Sequence, residues 1–399
     1  MKKILLLGGS AQQIVAIQTA KELGYQTILC DFLPDNPGQY VADKFYLVST
    51  TDKEAILNVA IDEQIDGILA YASDPAAPTA AYVAKKLGLP GNPYESVEIL
   101  CNKDKFRKFL KEQNFCAPEA RGYTDSEQSI KDIKENVFCF PIIIKPVDSS
   151  GSKGVSVLES QEGVNEAVKY AFSFSRGHRI VVEEFIEKKH AYLIGGDIFI
   201  VDGKIALWGL LNCHRDSKAN PLVPVGKSYP LEMDDYNIQQ VKETLQTLVD
   251  KLKLRSGAMN VELIIDKNNN VWPIDVGPRA GGNMIPDLLG LIFDVDVVEM
   301  AIKAAMGVEI DNEINSGINY YATHNLHAIK EGIYEDILFS EEINKYIVKK
   351  YLYKKNGDKV EFFDNASKAL GIIFMKFNNQ TEMNTILRNI NDNYTVSLR

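Results

Sequence analysis

The chain has 399 residues, 45% hydrophobic and 25% charged, with a formal net charge of −10. That describes an ordinary globular protein of two or three domains, and its acidity argues against sequence-independent nucleic-acid binding. Five scattered cysteines without a CxxC pair exclude a disulfide framework or a zinc site, and no apolar run suits a signal peptide or a membrane span, so a cytosolic protein is expected.

The first elements alternate. Strand Lys3–Leu7 turns through Gly8-Gly9-Ser10 into a helix, and strand 26–30 ends at Asp31. Helix Lys53–Glu63, strand 67–71 and helix 78–87 follow. Such alternation implies a parallel sheet covered on both faces. The glycine turn with Asp31 imitates a dinucleotide site, but Gly-Gly-Ser-Ala-Gln-Gln is not G-x-G-x-x-G, which argues against NAD. A helix N-terminus there still suits an anion or small ligand. Ser73-Asp74-Pro75 follows a strand at the carboxyl edge of the sheet, where ligands gather. The pattern breaks at Leu89-Pro90-Gly91-Asn92-Pro93, which sets a first boundary near residue 94.

A helix over 96–113 carries Lys103. The apolar strand 141–145 ends in Lys145, and the small-residue turn Asp148-Ser149-Ser150-Gly151-Ser152-Lys153-Gly154 follows. Backbone amides of such a loop can wrap phosphate oxygens, although it is not a P-loop. Strand 179–184 ends in Glu183-Glu184 and leads into Phe185-Ile186, a segment able to offer a carboxylate and backbone groups to an adenine edge. Strands 197–201 and 204–211 form a hairpin, and 214–230 reads as a loop holding Arg215, Lys218 and Lys227.

Helix 235–253 leads to a second hairpin with a Lys-Asn-Asn-Asn turn. If Asp266 pairs with Val271, Glu262 lies opposite Asp275, and paired residues have Cβ atoms only about 4.5–5.5 Å apart. Two like charges repel there unless a cation bridges them. Mg²⁺ suits the pair, because it takes one or two carboxylates and leaves positions for phosphates. Gly277 and Arg279 continue the same face, where an arginine can stabilise developing phosphoryl or oxyanion charge. Each motif taken alone also reads as an ordinary turn or a solvated face. The tail has strands 318–324, 346–353 and 369–377 and helix 381–390. His324 and His327 read as structural, because no third ligand is suitably spaced.

Taken together, these motifs resemble the ATP-grasp superfamily over roughly residues 1–307, with the parts in family order. The likeness is to carboxylate–amine ligases: L-amino-acid ligases, phosphoribosylglycinamide synthetases and relatives of carbamoyl-phosphate synthase and biotin carboxylase. It implies an α/β and α+β multidomain chain. A Rossmann-like pre-ATP-grasp domain (1–94) would precede an ATP-grasp domain (95–307) with a mobile lid near 118–183, and a small α+β domain (308–399) would end the chain.

By that resemblance Lys103 and Lys145 contact ATP phosphates, and the Ser150, Gly151, Ser152, Lys153 and Gly154 loop closes over them. Glu183 and the backbone of Glu184, Phe185 and Ile186 take adenine. Glu187 and His190 both qualify to hold the ribose. Glu262 and Asp275 bind Mg²⁺, with Mn²⁺ as an alternative, and Arg279 and Lys145 serve catalysis. Gly281, Gly282 and Asn283, with Ser73 and Asp74 as weaker candidates, would face the substrate. The implied reaction activates a carboxylate as an acylphosphate for attack by an amine. The expected partners are small molecules, with neither nucleic acid nor membrane, and a homodimer is allowed.

Three departures stand out: Asp275 where members usually carry Glu, Gly277 where they often carry Asn, and the unassigned ribose residue. The run from Gly277 to Asn283 looks more like amino-acid and dipeptide ligases than biotin carboxylases. A purine-pathway ligase, a bicarbonate-activating relative and a non-catalytic nucleotide-binding regulator are the alternatives. The Arg-Phe-Gly-Asp-Pro-Glu stretch of the purine type is absent from the sequence.

Overall fold

The computed structural model describes residues 1–149, 151–310 and 319–399. At the amino end, β1 (Lys3–Leu7), β2 (Gln26–Asp31), β3 (Lys44–Leu47) and β4 (Gly67–Leu69) form a parallel sheet in the order β3-β2-β1-β4. Helices α1 (Ile14–Glu22), α2 (Lys53–Glu63) and α3 (Ala77–Leu87) lie between and after these strands. Strand β3 was not expected; it is a four-residue, half-exposed edge strand. Side chains of β1 alternate between two cores. Leu5 and Leu7 pack with Ile56 of α2 and Val83 of α3. Ile4 and Leu6 pack with Ile17 of α1 and with Ile302 and Met306, from a helix far downstream.

The expected helix 96–113 is two helices, α4 (Tyr94–Leu100) and α5 (Lys103–Glu112). Asn102 interrupts them with an extended backbone (φ −125°, ψ 108°), and its amide donates to the Glu98 carbonyl at 2.8 Å. The restart makes Lys103 the first residue of α5, and its backbone N–H donates to the Val147 carbonyl at 3.2 Å.

Next, β5 (Ala120–Tyr123), β6 (Ile142–Pro146), β7 (Ser156–Leu158) and β8 (Ile180–Glu184) form an antiparallel sheet ordered β5-β8-β6-β7. Helices α6 (Ser126–Lys134) and α7 (Val164–Ser173) cover one face around Ile133, Ile142, Val168 and Val182. This small unit coincides with the stretch expected as a lid.

The central sheet begins with β9 (Leu193–Val201), β10 (Lys204–Arg215) and β11 (Pro224–Tyr229). After α8 (Asp235–Leu252) come β12 (Gly257–Ile265) and β13 (Val271–Gly277), then α9 (Ile285–Phe293) and α10 (Val297–Met306). Asp234 caps α8 by accepting from the Asn237 N–H at 2.9 Å. The tail adds β14 (Tyr320–Leu326), β15 (Gly332–Phe339), α11 (Glu341–Asn344), β16 (Ile347–Leu352), β17 (Lys359–Val360), β18 (Gly371–Phe377), α12 (Gln380–Arg388) and β19 (Tyr394–Leu398).

Eight strands make one sheet, β13-β12-β9-β10-β11-β14-β18-β16, so the tail continues the central sheet through β11 and β14. Strand β11 falls where a loop was expected. Its Pro224 and Gly226 have turn composition, yet the strand lies between β10 and β14 with its middle residues buried. Strands β15, β17 and β19 form a separate small sheet. The start of the expected strand 318–324, Ile318, lies outside the described residues. Among the described residues no helix is long and apolar enough to cross a membrane.

Candidate active site

A cavity of about 990 Å³ opens where the front domain, the β5–β8 unit and the central sheet meet. Lys103, Lys145, Lys153, Lys188, Arg215, Lys227 and Arg279 line it, against the acids Asp74, Glu187, Glu262 and Asp275. Seven cations against four carboxylates, in a chain of net charge −10, mark a place built for a polyanion.

The phosphate side rests on a buried ion triad. Lys145 Nζ lies 2.8 Å from Glu183 Oε2, and Arg107 Nε lies 2.9 Å from Glu183 Oε1. Burial alone would raise the Glu183 carboxyl, but Arg107 and Lys145 hold it at about 2. Burial also lowers the Lys145 ammonium, and the Arg107 charge adds to this against the pull of Glu183. One carboxylate between two cations leaves an unbalanced positive charge, which an anion in the cavity would complete. Lys103 donates to the Ser149 carbonyl at 3.1 Å and lies 3.4 Å from Asp275 Oδ2.

The metal side is the β12–β13 hairpin. Glu262 pairs with Asp275, and Asn260 with Gly277, as the sequence leads one to expect. The turn itself differs: Ile265, not Asp266, pairs with Val271, and a bulge between Glu262 and Leu263 restores the expected partners. Arg215 Nη2 lies 3.7 Å from Glu262 Oε1. Both carboxylates are partly exposed to the cavity, and each has a cation beside it. Among the described residues no group of three or more His, Cys, Asp or Glu could hold a metal. Two facing carboxylates without an all-protein cage fit Mg²⁺ bound jointly with phosphates.

Several expected residues take other places. The Glu183 carboxylate belongs to the ion triad and does not line the cavity, so it is not presented to an adenine edge. Glu184 is exposed at the end of β8. The N–H groups of Glu184 and Phe185 are bonded to Glu119 and Pro141 carbonyls, and Phe185, Ile186 and Glu187 form that wall. His190 is turned away: its Nε2 accepts from the Ile265 N–H at 3.0 Å and its Nδ1 bonds the Tyr192 carbonyl. Burial keeps its imidazole below the ordinary value. Of the two ribose candidates, Glu187 is the one on the cavity wall.

Gly151, Ser152 and Lys153 line the cavity, Gly154 packs behind it, and Ser150 lies outside the described residues. Gly282 and Asn283 line it, whereas Gly281 is pinned behind them, its N–H donating to Asp197 Oδ2 at 2.7 Å. A Cβ at Gly281 would meet Asp197 Oδ1 at 2.6 Å, so the close approach demands glycine.

Ser73 and Asp74 reach the cavity, but the Asp74 carboxylate is engaged by Arg279, from Nε to Oδ1 at 2.7 Å and from Nη2 to Oδ2 at 2.5 Å. A carboxylate there would repel an acid substrate, so Asp74 is not its holder. Burial would lower the Arg279 guanidinium, but Asp74 raises it above the ordinary range.

Arg107 and Asp197 escaped sequence reasoning, and Arg215 and Lys227 were read only as basic residues of a loop. Lys227 Nζ lies 2.6 Å from Cys213 Sγ, and both are buried. A basic residue inside an amphipathic helix, or in a stretch with turn composition, carries no local sign of such roles.

The glycine turn of the front domain is filled from within. Gln13 donates to the Tyr71 carbonyl at 2.9 Å, and Asp31 accepts from the Gly9 N–H at 2.7 Å. Asp31 is thus spent on backbone. His324 and His327 are buried, and His327 Nε2 is bonded to Asp216 at 3.0 Å, a structural arrangement.

Residues 138–287 match the family described as the ATP-grasp domain. Across the whole chain the fold is similar to the phosphoribosylglycinamide synthetase of Anaerococcus prevotii (23% identity, TM-score 0.77, all of both chains). It is also similar to an L-amino acid ligase of Bacillus licheniformis (18% identity, TM-score 0.82, all of this chain and 99% of that one). In sequence it is 25% identical to the carbamoyl phosphate synthase large chain of Thermotoga petrophila over 329 residues, 77% of this chain and 28% of that one. The match to that of Clostridium botulinum is 22% identical and takes 94% of this chain and 34% of the other. The chain thus spans about a third or less of the length of these curated relatives. The ATP-grasp match over residues 138–287 and the shared fold agree with the cavity's construction.

Proposed function

We propose that the protein is an ATP- and Mg²⁺-dependent ligase that joins a carboxylate to an amine and releases ADP and phosphate. The observation that carries this reading is the facing pair Glu262–Asp275 beside Lys103 and Arg279, with Lys145 across the same cavity. When bound, a divalent cation on Glu262 and Asp275 would offset charge on the nucleotide's phosphates.

Lys103 and Lys145 hold the phosphates, and the loop at 151–154 excludes water above them. Phe185, Ile186 and Glu187 wall the nucleoside end. The acid lies toward Gly282 and Asn283, where Arg279 stabilises charge on its carboxyl oxygens. A carboxylate oxygen bonds to the γ-phosphorus and ADP leaves with the bridging oxygen. The amine then attacks the acyl carbon, the carbon–oxygen bond breaks, and phosphate and a proton are released.

The test is phosphate release from mixtures of acids and amines, read together with product masses. ¹⁸O in the acid's carboxylate should emerge in the released phosphate. Label kept wholly in the product, alongside AMP, excludes the acylphosphate route. The resemblance to carbamoyl-phosphate synthase and biotin carboxylase leaves a second reading, activation of bicarbonate. ADP formation that needs bicarbonate and no organic acid would favour it. ATP binding without turnover under any mixture would leave a nucleotide-binding regulator.

A further inference from the structure

We propose that Asp74 of the front domain is a positioning residue for Arg279, and that position 277 is glycine to make room for its carboxylate. The inference rests on the ligase reading for Arg279's task but not for the pairing itself.

Three observations converge. Asp74 grips the Nε–Nη2 edge of Arg279 with both oxygens, at 2.7 and 2.5 Å, across 205 positions of sequence. The pair is mostly buried, with side-chain exposures of 12% for Arg279 and 23% for Asp74, so water does not screen it away. Nη1 donates to the Ala280 carbonyl at 3.1 Å. Three of the guanidinium's five N–H donors are therefore engaged, and among the described residues the other two have no hydrogen-bond partner.

The second observation is at Gly277. A Cβ there would stand 2.7 Å from Asp74 Oδ1 and 3.3 Å from the Arg279 guanidinium carbon. Gly277 does not have the left-handed backbone that would itself require glycine. The atom nearest to such a side chain is Asp74 Oδ1, which is itself held by Arg279 Nε.

The third is the approach to Asp74. Ala72, two residues before it, has φ +51°, a left-handed conformation that a residue with a Cβ adopts only when its surroundings hold it there. That turn carries the chain from β4 to the place where Asp74 meets Arg279. Because Asp74 belongs to the front domain and Arg279 to the central sheet, the guanidinium is aimed only when the two are correctly seated.

The experiment uses the full chain and four variants: Asp74→Asn, Gly277→Asn, Asp74→Ala and the double variant Asp74→Ala/Gly277→Asn. With an acid–amine mixture that the wild type turns over, Asp74→Asn should lower kcat by roughly 10²-fold, the effect of a misaimed group, with KM for ATP nearly unchanged. Gly277→Asn should do the same by displacing Asp74. The double variant should be no slower than Asp74→Ala alone, because the carboxylate for which Gly277 makes room is already gone.

An unaltered kcat in Asp74→Asn, or a double variant markedly slower than Asp74→Ala, overturns the proposal. If the wild type turns over no mixture, the ligase reading fails and thermal unfolding decides the pairing. Gly277→Asn should then lower the midpoint in the wild-type background but not in the Asp74→Ala background. Equal losses in both backgrounds overturn it.

Discussion

Arg107 Nη2 donates to the carbonyl of Ile274 at 2.6 Å. Ile274 is the residue that the β12–β13 ladder skips, since Leu263 pairs with Pro273 and Glu262 with Asp275. The bulge therefore does two things. It brings the two carboxylates opposite each other, and it frees a carbonyl to anchor the arginine of the Lys145–Glu183–Arg107 triad. This bond joins the Glu262–Asp275 hairpin to the Lys145–Glu183–Arg107 triad, as the Lys103–Asp275 ion pair joins the hairpin to α5.

The triad makes a prediction about Glu183. Glu183→Gln leaves two buried cations without their anion, which should destabilise the protein by roughly 3–5 kcal/mol. Mg-ATP should then raise the unfolding midpoint more than it does in the wild type, because phosphates supply the missing negative charge. Chemical denaturation with and without nucleotide checks both. A variant of normal stability that only binds ATP weakly would return Glu183 to an adenine role.

Glu262→Gln and Asp275→Asn should leave the fold intact and reduce turnover on the order of 10²-fold or more, as expected when positioned charge is lost at a phosphoryl group. The measurement is phosphate release at saturating Mg²⁺, with circular dichroism as the control for folding. Wild-type rates in both variants would remove the metal assignment.

The β5–β8 unit should move as a lid. Loops that close on ligand come from the less stable parts of a structure. Amide exchange across residues 151–155 should slow when Mg-ATP is added. Identical exchange with and without nucleotide would count against closure there.

Stability should fall with mild acid. Burial lowers His190, His324 lies well below its ordinary value, and burial with nearby Lys227 and Arg215 brings His214 to about 4. In the unfolded chain these groups titrate near about 6.5. Above that pH they are neutral in both states. Below it the unfolded state binds more protons, so stability drops by up to about 1.4 kcal/mol per pH unit for each histidine until its folded pKa is reached. Urea midpoints at pH 7.5 and 5.5 check the sign, and a midpoint that rises on acidification would contradict it.

What the sequence determined by itself was local. Lys3–Leu7 and Lys53–Glu63 were legible because apolar runs and helix caps act over a few residues, and Asp52 does accept the Ala55 N–H. The facing of Glu262 and Asp275 was reached too, but from a turn pairing one residue out of register, which the bulge between Glu262 and Leu263 offsets.

Tertiary structure decided the rest, because the deciding contacts join residues far apart in the chain. Strand β11 is a strand because β10 and β14 bond to its two edges, which its own Pro224 and Gly226 do not announce. Glu183 was turned from ligand wall to buried anion by Arg107, a helix residue 76 positions away. Asp74 became the partner of Arg279 because two separate sheets bring opposite charges together in a site that excludes most water, where a bidentate pair is strongly favoured.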